Sequence, residues 1–377
     1  MKRLLLTVMT LLLLGVGTAW AGPVEDAAAA YGRGDYAKAL KITRSLAEQG
    51  YPIAQSNLGA MYANGQGVAQ DYAEALKWYR LAAAQGDATG QYNLGGMYFQ
   101  GHGVAQDYAE ALKWYRRAAA QGDAKAQLNL GLMYANGQGV AQDYVEALKW
   151  FRLAVAQGDA KAQSNLGVMY FQGHGVAQDY AEALKWFRLA VAQGHADAQY
   201  NLGVMYFKGQ GVAQDYAEAL KWFQLAAAQG ETAAQSNLGM MYRDRLGVEQ
   251  DDAEALKWFR LAAAQGYALA QFNLGVMYRD QEGVAQDYAE ALKWFRLAAA
   301  QGDVKAQYSL GLMYADGNGV VQDHVRAHMW FSLGAEAGFA AAVKRRDSVS
   351  SLMSSQQVAQ AQQMARDCQR RKFKGCD

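Results

Sequence analysis

The sequence predicts an all-α chain folded as an α/α superhelical solenoid of helix-turn-helix repeats, with capping helices at both ends. Three observations predict it. Trp78, Trp114, Trp150, Trp186, Trp222, Trp258, Trp294 and Trp330 stand 36 residues apart, as do Gly50, Gly86, Gly122 and their successors to Gly338. A fixed period of this size marks a solenoid or another repeat array. Within each period, apolar residues recur at helical spacing and do not alternate. Finally, 52% of the 377 residues are apolar and only 2 are proline, too apolar for a disordered chain and too poor in proline for a β chain of many turns.

In chain order, Lys2 and Arg3 precede an apolar run from Leu4 to Val16, which ends in Ala19-Trp20-Ala21. This is the pattern of a secretory signal peptide over residues 1–21, cleaved after Ala21. An uncleaved anchor is the competing reading, but the core of roughly 13 residues falls short of the ~20 that a span needs. The mature chain is therefore expected to be exported, periplasmic or secreted, without a transmembrane segment. Residues 22–50 read as a degenerate N-terminal repeat or cap, because Gly34 to Leu40 matches the second helix of the later copies with a shorter loop before it.

Residues 51–338 hold eight copies. In the first, Ala54, Leu58, Met61 and Tyr62 form one helical stripe, and Tyr72, Ala75, Leu76, Tyr79, Ala82 and Ala83 a second. Asp71 is placed to cap the second helix, with Glu74 completing a capping box. Glu74 and Lys77 form an i,i+3 pair, and Gly86 ends the helix. Gly59 recurs in every copy although a mid-helix glycine costs about 1 kcal/mol. It predicts a close helix approach, placed opposite the small Ala82–Ala83 step.

Residues 339–377 are expected to form a capping helix with a disulfide loop. Val358, Ala361, Met364, Ala365 and Cys368 share one stripe of a glutamine-rich helix. Cys368 and Cys376 lie eight apart with no nearby His to complete a zinc shell, so a disulfide is expected in an exported chain. Arg366, Arg370, Arg371, Lys372 and Lys374 form the one basic cluster, either solvated charge at a helix C-terminus or a docking patch for an acidic partner.

A net charge of +1 gives no global electrostatic reason to bind DNA, RNA or an anionic membrane. The chain has no H-E-x-x-H, G-x-S-x-G or Walker A motif, and Gly65-x-Gly67 lacks the third glycine and preceding strand of a dinucleotide site. His324 and His328 are one helical turn apart, but no third ligand accompanies them. They replace the usual Tyr and Leu, so packing is the simpler reading. His102 and His174 are solvated loop substitutions. Asp71 and Glu74 recur in all copies, which is structural, since catalysis needs one site. No enzyme activity, cofactor or metal is expected.

The pattern LG..Y..G.GV..D...A..W....A...G resembles the Sel-one-like repeats, longer relatives of the tetratricopeptide repeats. The resemblance implies a superhelix whose first helices line a concave face that holds a protein or peptide, a scaffold and not a catalyst, here expected as a monomer. It also carries an alternative. Exported cysteine-rich members have been described as binding or slowly hydrolysing β-lactams, but this chain lacks their cysteine pair in each repeat and has no S-x-x-K.

Comparing the copies locates a candidate groove. Three first-helix positions, at 56, 60 and 63 of the first copy, share one face and vary. Position 56 becomes Tyr92, Tyr200 and Phe272 in other copies, and position 63 becomes Phe99, Phe171, Phe207, Arg243 and Arg279. Position 60, from Ala60 to Leu312, is expected mostly to pack. The candidate partner-binding residues are Tyr92, Phe99, Phe171, Tyr200, Phe207, Arg243, Phe272 and Arg279, aromatic anchors with arginines for a carboxylate contact.

Overall fold

The computed structural model describes residues 21–376, so the expected leader lies, apart from Ala21, outside the described residues. Twenty helices run from Ala21–Gly32 to Ser355–Arg370, and no strand occurs among the described residues. The predicted all-helical repeat solenoid is the fold. The chain divides into two compact units between Ala190 and Val191. Among the described residues, no helix is long and apolar enough to cross a membrane.

In the first unit, Ala21–Gly32 and Tyr36–Glu48 form the degenerate leading hairpin, followed by Pro52–Asn64 and Tyr72–Ala84 and their repeats. Asp71 Oδ1 accepts from the backbone N–H of Ala73 and of Glu74, at 2.9 and 3.1 Å. The reciprocal half of the expected capping box does not form. The Asp71 N–H already donates to Tyr62 O across the loop at 3.0 Å, leaving the glutamate nothing to accept. The glutamates turn forward instead, and Glu110 and Glu146 pair with Lys113 and Lys149 at 3.0 and 2.7 Å.

The close approach at the mid-helix glycine has a different partner from the one expected. A Cβ on Gly59 would stand 2.7 Å from the Tyr79 ring, and one on Gly131 would stand 2.5 Å from the Phe151 ring. The aromatic of the paired helix, not the alanine step, fills the space that the glycine leaves. These rings are buried with Leu58, Leu94 and Leu130 in the core between paired helices. The loop supplies a second requirement. Gly67 has φ +74, and a Cβ there would collide with the backbone carbonyl of Tyr36 in the preceding hairpin.

Polar bonds tie the copies together. Gln55 is buried, donates to Ala47 O at 3.2 Å and accepts from Gln85 Nε2 at 2.7 Å, so its amide is satisfied without water. Gln91 with Gln121 and Gln127 with Gln157 repeat the pattern. Second-helix arginines also reach forward. Arg80 donates to Tyr98 Oη at 3.0 Å and Arg152 to Tyr170 Oη at 3.0 Å.

The second unit begins with Ala196–Lys208 and repeats the same caps and amide bonds. It departs from the pattern at several positions, of which three bear on its bonds and loops. Gln224 stands where other copies have the arginine that reaches Tyr. Arg245 and Gln281 hold positive φ values of 58 and 65 in the loop where most copies have glycine, at a cost of about 1 kcal/mol each.

The last repeat is also covered. Ala340–Ser350 and Ser355–Arg370 both pack on His324–Glu336. Ser354 begins the final helix with a complete capping box to Gln357. Its Ala361, Ala365 and Cys368 are buried, as the stripe predicts. Under this cover, Met329 replaces the exposed lysine of other copies and is 0% exposed, and Ser332 replaces the exposed arginine and is buried. Cys368 and Cys376 are disulfide-bonded, with Cα atoms 5.2 Å apart.

Candidate functional site

The variable first-helix positions form a seam. In the first unit, Tyr92 lies against Tyr115, with ring centroids 5.7 Å apart. Phe99 meets Tyr108 edge-on at 5.1 Å, and Phe171 meets Tyr180 at 5.3 Å. In the second unit, Tyr200 lies 5.8 Å from Phe223 and Phe272 lies 5.8 Å from Phe295. Phe207 meets Tyr216 at 5.2 Å. Each candidate ring therefore rests on aromatics of its own paired helix and keeps one side half-open to solvent. Burial holds the Tyr92 and Tyr200 hydroxyls above their ordinary pKa, so both remain neutral donors.

The two arginines occupy the same register in a different manner. The Arg243 guanidinium lies 5.7 Å over the Phe259 ring and Arg279 lies 5.8 Å over Phe295. Each is already bound to a carboxylate, Arg243 to Asp244 at 2.7 Å and Arg279 to Asp280 at 2.6 Å. These hydrogen bonds raise both arginine pKa values above the ordinary range. A partner's carboxylate would have to share the arginines with Asp244 and Asp280. Near them, burial and the carboxylates of Asp280, Asp252 and Asp244 push Glu282 up, against the lowering effect of Arg243.

Sequence comparison did not single out a neighbouring row. Position 57 is Asn57, Asn93, Asn129 and Asn165 in the first unit, and Asn201, Asn237, Asn273 and Ser309 in the second. Asn57, Asn129, Asn165, Asn201 and Asn237 are half-buried, whereas Asn93, Asn273 and Ser309 are buried, so the row lies at the margin of the core and only part of it reaches the open side of the first helices. The asparagines also touch the candidate residues of the preceding copy. Asn129 lies near Tyr92 and Asn237 near Tyr200, each opposing the upward push of burial on the hydroxyl pKa, and Asn273 Oδ1 accepts from Arg243 at 2.9 Å. The available signal was a poor helix former retained in seven of eight copies.

The remaining candidates lie elsewhere. His328 is buried beneath the cap with Nδ1 3.3 Å from Ser332 Oγ, away from any open face. His102 and His174 stack on Tyr72 and Tyr144, with centroids 4.5 and 4.3 Å apart. No group of three or more His, Cys, Asp or Glu among the described residues could hold a metal ion.

The class that this fold and seam define is a helical-repeat scaffold. More narrowly, the chain belongs to the Sel1 repeat family. The family's profile matches eight successive segments, 52–87, 88–123, 124–159, 160–195, 196–231, 232–267, 268–303 and 304–339, one residue out of step with the 51–338 frame. Two solved structures are similar over long stretches. One is c5321, a protective antigen of uropathogenic Escherichia coli strains displaying an SLR fold, 36% identical over 93% of this chain and 85% of its own, with TM-score 0.52. The other is a Sel1 repeat protein from Oxalobacter formigenes, 38% identical over 64% of this chain and 99% of its own, with TM-score 0.60. None of the curated proteins matches the chain.

Proposed function

We propose that the chain is a non-catalytic interaction scaffold of the cell envelope or secreted space, and that each unit holds a protein or peptide segment along its first-helix face. The observation that carries this reading is the pairing of two rows in one register. Half-open aromatics supply apolar anchors, while the half-buried asparagines of the second row, Asn129, Asn165 and Asn201 among them, supply a donor and an acceptor for a bound main chain. Repetition of the pair adds weak contacts along the ligand. Residues 22–50 and 339–377 then serve as caps that cover the ends of the array. The likeness to a protective antigen of Escherichia coli supports an exported location, as does the bonded Cys368–Cys376 pair.

Affinity capture from envelope and culture-supernatant proteins tests the reading. Partners retained by the wild-type chain are expected to be lost with the triple variant Phe99→Ala, Phe171→Ala, Phe207→Ala. Undiminished capture by a folded triple variant would remove the seam as the binding surface.

A further inference from the structure

Charge is distributed unevenly within the second unit. Residues 191–338 carry eleven Lys and Arg against seventeen Asp and Glu, whereas residues 339–377 carry eight against three. Five of those eight cations, Arg366, Arg370, Arg371, Lys372 and Lys374, fall within nine residues, and all five are exposed. The disulfide closes the loop on four of them, so they cannot spread apart as a free tail would. Within the cluster Arg370 is ion-paired with Asp367, and Arg366 donates to Gln363 Oε1 at 2.8 Å. The backbone is held in an unfavourable form here, with Lys372 and Phe373 in succession at φ 53 and 65, a kind of strain that gathers at functional sites.

The loop offers no other means of recognition. Its single aromatic, Phe373, turns inward over Gly302 and joins the apolar cluster beneath the cap. Without an exposed ring there is no platform for a nucleic-acid base. Without an exposed apolar anchor there is no centre for a tight protein interface. What remains is a fixed, dense positive surface that responds to the charge density it faces. A bilayer rich in anionic phosphate headgroups is the partner that needs nothing more.

We propose that the disulfide-closed loop 368–376, with Arg366 beside it, is an electrostatic contact for anionic phospholipid headgroups. The acidic repeats of the same unit are repelled by such a surface, so contact is confined to the loop and leaves the repeat faces free.

Co-sedimentation of the exported protein with phosphatidylglycerol-containing vesicles, and with pure phosphatidylcholine vesicles, tests this. Binding is expected only to the anionic vesicles, and it should fall steeply with added salt. The triple charge reversal Arg371→Glu, Lys372→Glu, Lys374→Glu should lower partitioning about a hundredfold, with circular dichroism of the helices unchanged. A milder set, Lys372→Gln with Lys374→Gln, should lower it about thirtyfold and guards against misfolding of the reversed variant. Equal binding to neutral vesicles, or no loss with either variant, would overturn the proposal. So would complete competition by inorganic phosphate, which would make free phosphate the ligand. Stronger retention on duplex DNA or on an acidic polypeptide than on anionic vesicles would assign the loop to that partner instead.

Discussion

Two adjacent glycines in one helix should respond to the same substitution with opposite signs. Gly95 and Gly96 both lie inside Ala88–Gln100. Replacing either by alanine gains about 1 kcal/mol of helix propensity. At Gly96 the added Cβ finds only Tyr115 Oη at 3.7 Å, an ordinary contact, so Gly96→Ala should keep the whole gain. At Gly95 the Cβ would stand 2.8 Å from Tyr115 Cδ1, 2.9 Å from Cε1 and 3.3 Å from Ala111 O. The Tyr115 ring is 3% exposed and cannot swing out. Overpacking of this kind costs typically 1–3 kcal/mol, with more where the neighbours are rigid. The net change for Gly95→Ala is a loss of up to about 2 kcal/mol, and the two variants should differ by about 1–3 kcal/mol. Urea titration by far-UV circular dichroism gives the sign. Hydrogen exchange in Ala88–Gln100 and Tyr108–Ala120 localises it, which matters because a repeat array need not unfold in one step. If Gly95→Ala proved as stabilising as Gly96→Ala, the ring-in-place-of-Cβ account of the recurring glycine would be wrong.

Three further outcomes follow from other residues. His328 is held below the ordinary histidine pKa, first by burial and then by Arg346, with Asp347 opposing. The folded site thus resists a proton that the unfolded chain accepts. Stability should be full above about pH 6.5 and fall as the pH drops through that value, by up to about 1.4 kcal/mol per pH unit. His328→Leu, which restores the residue of the other copies, should flatten this part of a melting-temperature profile between pH 8 and pH 5. Gln224→Arg should supply the missing bond to Tyr242 and raise the urea midpoint by about 0.5–1 kcal/mol equivalent; no rise would mean that the arginine–tyrosine bonds elsewhere contribute little. Purified protein should leave nitrocefin unhydrolysed over hours, and turnover above that of a heat-inactivated sample would replace the scaffold reading with the enzymatic one.

Much of the fold is legible in the sequence because a repeat states its own packing eight times. The period, the two helical stripes, the Asp caps and the turn glycines are local signals, and all lie where the spacing places them. What failed depended on partners that spacing does not name. Gly59 has both an alanine step and Tyr79 on the facing stripe, and only the rotation of the helices decides which one it meets. The capping box failed because the Asp71 N–H was already taken by Tyr62, a bond made across the loop. The asparagine row does not stand out among the variable positions because it is nearly constant from copy to copy, and its amides sit at the margin of the core. The cover over the last repeat had a usable signal. Met329 and Ser332 stand where Lys and Arg stand elsewhere, and a solvent-facing helix does not lose both charges unless something lies on it.

The forward reach of Arg80 to Tyr98 and of Arg116 to Tyr134 has a consequence for the gene as well as the fold. Each bond joins a donor in one copy to an acceptor 18 residues later, so excising residues 88–123 of the first unit in frame brings Arg80 to the old Tyr134 at the same offset. The glutamine bonds close over such a cut equally well, as do the loop glycines. Recombination between near-identical segments would then shorten or lengthen the protein by whole units without orphaning a donor. Reach along a ligand becomes a quantity that unequal crossing-over can tune, one hairpin at a time.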